Sequence, residues 1–266
     1  SSSLPRANNI SDGLSDTLEL DFTNSSTTLS ARWKSFGSGI TYDYAIGTGN
    51  LKNNIVDWTT NSTDTSAIVT LSGAGQLQNS TTYFFSVRGS NDQGSVTITT
   101  DGVFVDLEEP KISSVTEFKN DLDWFGPSID GHIFANASDN GGITKYEFSI
   151  GSSAGLDDII SWTVSDSNSY LADVSSLSED VTYYSNARVT DVVGNIATQS
   201  SDGFKMDITN PILGNISIGN EYQSDTSKVT YVWSDFDDLH SGIADYQYSL
   251  GTESGLTDVI PRTPFG

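Results

Sequence analysis

Leu77-Gln78-Asn79-Ser80-Thr81-Thr82-Tyr83-Phe84-Phe85-Ser86-Val87-Arg88 is the stretch that decides the fold. Its second half alternates apolar and polar residues with period two, the signature of a strand with one packed and one wet face. The leucine six residues ahead of the tyrosine returns as Leu177 ahead of Tyr183. Working outward, the chain repeats itself about every 100 residues. Trp33, Phe134 and Trp233 align, as do Gly39-Ile40, Gly142-Ile143 and Gly242-Ile243. Asp101-Gly102 with Pro110 recurs as Asp202-Gly203 with Pro211, and these marks set the module ends. Solenoid repeats run to about 20–50 residues, so a period near 100 implies separate small β-sandwiches strung in a row.

The alternating segments 18–22, 28–33, 42–46, 67–71 and 83–88 predict strands in the first module, and 131–135, 145–150, 170–174, 182–190 and 195–198 in the second. Breaks rich in Gly, Asn and Ser, such as Gly37-Ser38-Gly39 and Asn91-Asp92-Gln93-Gly94, separate them and supply positive φ and Asx turns. Helical periodicity is absent. The fold class is all-β: tandem antiparallel sandwiches, with residues 1–8 an upstream linker, 9–108 module one, 109–211 module two, and 212–266 the N-terminal part of an incomplete module three. A half-sandwich exposes an apolar face and unpaired edges. The expectation is that the native chain continues, or that another chain completes the sheet.

Composition narrows the partners. The 266 residues carry a formal net charge of −23, two His, no Cys and one Met. So acidic a chain repels phosphate backbones and anionic lipid, which excludes nucleic acid and the membrane surface and favours divalent cations. No run approaches the roughly 18 apolar residues that span a bilayer. Without cysteine there is neither a disulfide framework nor a thiolate metal site. Carboxylates in excess over Lys and Arg suit an extracellular protein kept soluble by its charge, and any export signal is expected to have been removed or to lie elsewhere.

The aromatic on the second strand, the tyrosines on the third (Tyr42, Tyr44, Tyr146, Tyr246, Tyr248), the Leu77/Tyr83 and Leu177/Tyr183 spacing, and the runs 87–94 and 189–195 resemble a fibronectin type III module or a close immunoglobulin-like relative. The resemblance is to the kind strung together in large bacterial secreted and surface proteins. It implies a tyrosine corner, in which Tyr83 or Tyr183 bonds back to the backbone. It also implies neighbouring modules of one longer chain as partners, and a protein or glycan receptor. No Arg-Gly-Asp tripeptide occurs, so integrin-type binding does not carry over.

No catalytic constellation emerges, and the chain is read as a non-enzyme. Gly151-Ser152-Ser153-Ala154-Gly155 has the letters of a nucleophile elbow, but that chemistry needs a strand-to-helix turn and a histidine. His132 and His240 stand alone and make no zinc pair. Calcium is the one cofactor with a physical argument, because it wants about six to eight oxygens and loops at a module junction can supply them. Candidate ligands are Asp92, Asp106, Glu108 and Glu109 at the first junction, Asp191, Asn195 and Asp207 at the second, and Asp235, Asp237 and Asp238 in one loop of module three. Trp58 and Trp162, in polar surroundings at a sheet edge, are candidates for glycan contact. The functional expectation is a semi-rigid stalk or adhesion segment of a bacterial surface protein. The alternatives are spacer modules of a secreted peptidase or glycoside hydrolase, and a structural subunit assembling by strand complementation.

Overall fold

A computed structural model describes residues 3–15, 17–49, 52–117, 120–126, 131–219, 222, 224, 225 and 227–265. The first set of strands is β1 (Ile10–Asp12), β2 (Phe22–Thr23), β3 (Thr28–Trp33), β4 (Thr41–Thr48), β5 (Val56–Ser62), β6 (Ser66–Thr70), β7 (Thr81–Asn91), β8 (Gly94–Thr99) and β9 (Val103–Val105). They form a three-stranded sheet β1-β3-β6 facing a six-stranded sheet β2-β9-β7-β4-β5, with β8 paired to β7. The opening segment switches sheets: β1 pairs antiparallel with β3, whereas β2 pairs parallel with β9.

The same architecture recurs in β10 (Lys111–Glu117), β11 (Trp124–Phe125), β12 (Gly131–Ser138), β13 (Ile143–Gly151), β14 (Ile160–Ser165), β15 (Ser169–Ala172), β16 (Thr182–Asp191), β17 (Ile196–Ser200) and β18 (Phe204–Met206). Here the sheets are β10-β12-β15 and β11-β18-β16-β13-β14, with β17 on β16. A third set, β19 (Asn215–Ile218), β20 (Tyr231–Ser234), β21 (Gln247–Leu250) and β22 (Ile260–Pro264), makes only two separate pairs, β19-β20 and β21-β22.

Alternation builds each core. In β3 the inward residues are Leu29, Ala31 and Trp33, and the Trp33 ring meets Tyr42 at 5.7 Å and Phe85 at 6.5 Å. One such buried aromatic is worth about 3–5 kcal/mol against alanine. The tyrosine corner is present in both modules. The Gln78 N–H donates to Tyr83 Oη at 2.9 Å and the Ser178 N–H to Tyr183 Oη at 3.0 Å.

The structure corrects several sequence readings. Phe134 does not take the place of Trp33: it is half-buried against His132 on the outer face, while Ile133 and Ala135 enter the core. With a side-chain period of two, an alignment off by one residue turns a strand inside out. The alternating run 18–22 contributes only Phe22 to a strand, because the chain is there crossing between sheets. Trp233 is half-buried, packed edge-on against Phe265 at 4.7 Å. Ile216, paired opposite it, and Ile218 on the same face are exposed, so the third set presents an open apolar face.

Candidate cation centre at the first module junction

Asp106 follows the last strand of module one, Asp139 sits in the β12–β13 turn, and Asp191 ends β16. Their carboxylate oxygens lie within 4.8 Å of one another. Asp106 is 0% exposed and Asp191 2%. Each is fixed by local backbone. Asp191 Oδ1 accepts the N–H groups of Val193, Gly194 and Asn195 at 2.7–2.9 Å, and its Oδ2 accepts Asn195 Nδ2 at 2.8 Å. Asp139 Oδ1 accepts the Gly141 and Gly142 N–H groups. Asp106 Oδ1 takes a long bond from the Glu108 N–H, but Asp106 Oδ2 is buried with no hydrogen-bond partner.

Burial, and then repulsion from Asp139 and Asp191, push the Asp106 carboxyl above its ordinary range. A buried carboxylate oxygen without a partner is costly, and three acids so close cannot all stay charged without compensation. A proton or a hard cation supplies it. The donor set is all oxygen and spans the junction, which fits Ca²⁺ by donor chemistry. Gly141 makes the close approach feasible, since a Cβ there would lie 2.5 Å from Asp106 Oδ2. Around the cluster the modules touch directly: Asn195 Nδ2 donates to the Glu108 carbonyl at 2.9 Å and Asn140 Nδ2 to Ser80 Oγ at 2.6 Å.

Of the ten acids and amides expected to serve, the structure brings Asp106 and Asp191 together and sets Asn195 beside them. Glu108 offers its carbonyl rather than its exposed side chain, and Glu109 and Asp92 are exposed outside the cluster. Asp139 is missing from the sequence reading, although it stands five residues after Phe134 as Asp238 stands five after Trp233.

The second junction is built differently. Asp207 Oδ2 accepts both the N–H and the hydroxyl of Ser241, which occupies the repeat position of Gly141, and Oδ1 accepts the Thr209 N–H. Asp235 is engaged by Asn215 Nδ2 and Ser234 Oγ. Asp238 Oδ1 caps the His240 and Gly242 N–H groups. Asp237 bonds the following N–H. Among the described residues these acids form no three-carboxylate group.

The Trp58 and Trp162 rings are half-buried over guanidinium groups, with Arg88 at 4.4 Å and Arg188 at 4.5 Å from the ring centroids. Arg88 pairs with Asp43 across β4–β7, and Arg188 grips Glu147 with two bonds across β13–β16. One face of each ring is therefore used for cation–π packing. The Gly151 to Gly155 run is a hairpin loop in which Asp158 holds Ser152, and a strand, not a helix, follows.

The two facing sheets, the parallel contact of the split first strand and the tyrosine corners define a tandem array of fibronectin type III-like, immunoglobulin-like sandwiches. Several solved structures are similar to it at low sequence identity. One is reported as "Structural insight into host cell surface retention of a 1.5-MDa bacterial ice-binding adhesin", 12% identical, covering 92% of this chain and 80% of that one at a TM-score of 0.45. Another is an I-band fragment of titin, 9% identical, covering 94% and 86% at 0.41. The FN1 to FN3 domains of chicken CNTN1 are 14% identical, covering 87% and 75% at 0.29. No family model and no curated protein matches the sequence.

Proposed function

We propose that this chain is a non-catalytic spacer of an exported bacterial surface protein, and that Ca²⁺ at Asp106, Asp139 and Asp191 stiffens the joint between its first two modules. The observation that carries this reading is the buried, unpartnered Asp106 Oδ2 facing two acids of the next module. Nothing catalytic is asked of these groups. An ion bound there bridges the end of β9 to two loops of module two, so binding energy is converted into a fixed angle between modules. Adhesion then resides in whatever the array carries at its end.

The test is the alignment of module one relative to module two, measured by residual dipolar couplings with EDTA and with millimolar calcium. The reading expects two independent alignment tensors in EDTA and one shared tensor in calcium. Tensors that stay independent at saturating calcium, or calorimetry that detects no calcium binding, overturn it.

A further inference from the structure

A second acidic cluster lies inside module two, toward its other end. Glu117 closes β10 and is 1% exposed. Its Oε1 accepts the Ser201 hydroxyl at 2.6 Å, while Oε2 is buried with no hydrogen-bond partner. Carboxylate oxygens of Glu117, Asp121 and Asp202 lie within 4.8 Å of one another, and Asp121 and Asp202 are exposed. The Leu122 N–H donates to the Glu117 carbonyl at 2.9 Å, and Asp121 takes a left-handed φ of 54°.

Module one shows what the same place looks like when the acid is satisfied. Asp12, Glu19 and Asp101 form the matching group, and the Leu20 N–H again donates to the carbonyl of the buried acid. A relay of hydrogen bonds recurs. The Phe85 N–H donates to Thr100, whose hydroxyl meets Asp12; the Ser185 N–H donates to Ser201, whose hydroxyl meets Glu117. Asp12 gains one more partner, the Gly102 N–H at 3.1 Å on Oδ2. Glu117, one methylene longer, has the Ser201 hydroxyl on Oε1, and its Oε2 lies near the buried Ser185 hydroxyl without a well-formed hydrogen bond to it.

We propose that Glu117, Asp121 and Asp202 bind a divalent cation of the calcium class within module two, independently of the junction. Three carboxylates supply three to six oxygens, and the two exposed aspartates leave room for water to complete the about six to eight that Ca²⁺ takes. The ion ties the end of the first strand to the turn after β17. Ser201 and Ser185 place this site six residues along β16 from Asp191, about 20 Å from the junction at the rise of a strand. Module one, whose buried acid is partnered by Gly102 and Thr100, lacks the free oxygen and takes no ion there.

Calorimetric titration of the full chain with CaCl₂ tests this, comparing wild type with Asp202→Asn, Glu117→Gln and Asp106→Asn. Asp202 is exposed, so its substitution leaves the fold intact, and a cooperative unfolding transition in EDTA at least as stable as wild type guards against a misfolded control. The expected result is that Asp202→Asn and Glu117→Gln each lose one bound ion per chain, or weaken it at least tenfold, and keep the ion that Asp106→Asn removes. Wild-type stoichiometry and affinity in both variants overturn the proposal. Because Asp106→Asn reports only on the junction, loss of either site is read separately.

Discussion

Replacing Asp106 with asparagine should reverse its own effect on stability when calcium is added. Two unit charges 4.8 Å apart repel by about 3 kcal/mol at an effective dielectric near 20. Asp106 faces two such neighbours, whose hydrogen bonds from backbone N–H groups offset part of the repulsion, so neutralising it at pH 7 in EDTA should gain about 1–3 kcal/mol. The asparagine amide adds a donor where Oδ2 has no partner and Asp139 is an acceptor within reach. In calcium at a hundredfold excess over Kd the wild type gains about 2.7 kcal/mol from binding, and the variant gains none. The order of stabilities is then expected to cross or meet. Hydrogen exchange of the β13 and β16 amides reads the opening free energy of module two apart from its neighbours. A variant less stable than wild type by more than about 1 kcal/mol in EDTA, or one that keeps the full calcium gain, would refute the reasoning.

Three further outcomes follow from single contacts. Tyr183→Phe keeps the packing but strands the Ser178 N–H, and should cost about 1–2 kcal/mol in urea unfolding; no measurable loss would mean that water replaces the hydroxyl. Gly141→Ser copies the second junction by setting a hydroxyl against Asp106, and should abolish the calcium response of the joint in calorimetry. Burial raises the Asp12 carboxyl from 3.8 to about 7, so between those values the folded chain keeps a proton that the unfolded chain has lost. Stability from Asp12 is therefore full below about pH 4 and falls as pH rises through 7. Asp12→Asn should flatten that slope between pH 5 and 7.5, and an unchanged slope would assign it elsewhere.

The repeat, the alternation and the tyrosine spacing made the sandwich and its corner legible, because each depends on residues near one another in the chain. Phe134 was misplaced because hydrophobicity alone does not say which of two adjacent positions, 133 or 134, faces inward. The buried acids were illegible for a different reason. Asp12 and Glu117 sit in polar stretches that read as solvated, and what buries them, Thr100 and Ser201, lies more than 80 residues away. Asp106 could be named from its place at a module end, whereas Asp191 and Asn195, expected at the second junction, lie at the first, because the end of β16 turns back toward Asp106 and Glu108. Asp139 joins them only when the β12–β13 turn folds back onto the junction.

Among the described residues, Gly141 at the first joint stands where Ser241 stands at the second, and the acid before each meets different company. Where Ser241 stands, the chain carries its own ligand for the acid that ends the preceding module, and that contact is made in any solution. Where Gly141 stands, the corresponding acid has no such ligand on Oδ2. On the proposed reading, an array that mixes both kinds of joint has some angles held by its own hydrogen bonds and others set by its surroundings. On that same reading, the reach of such a spacer follows the ion content around it, slack where ions are poor and extended where they are rich.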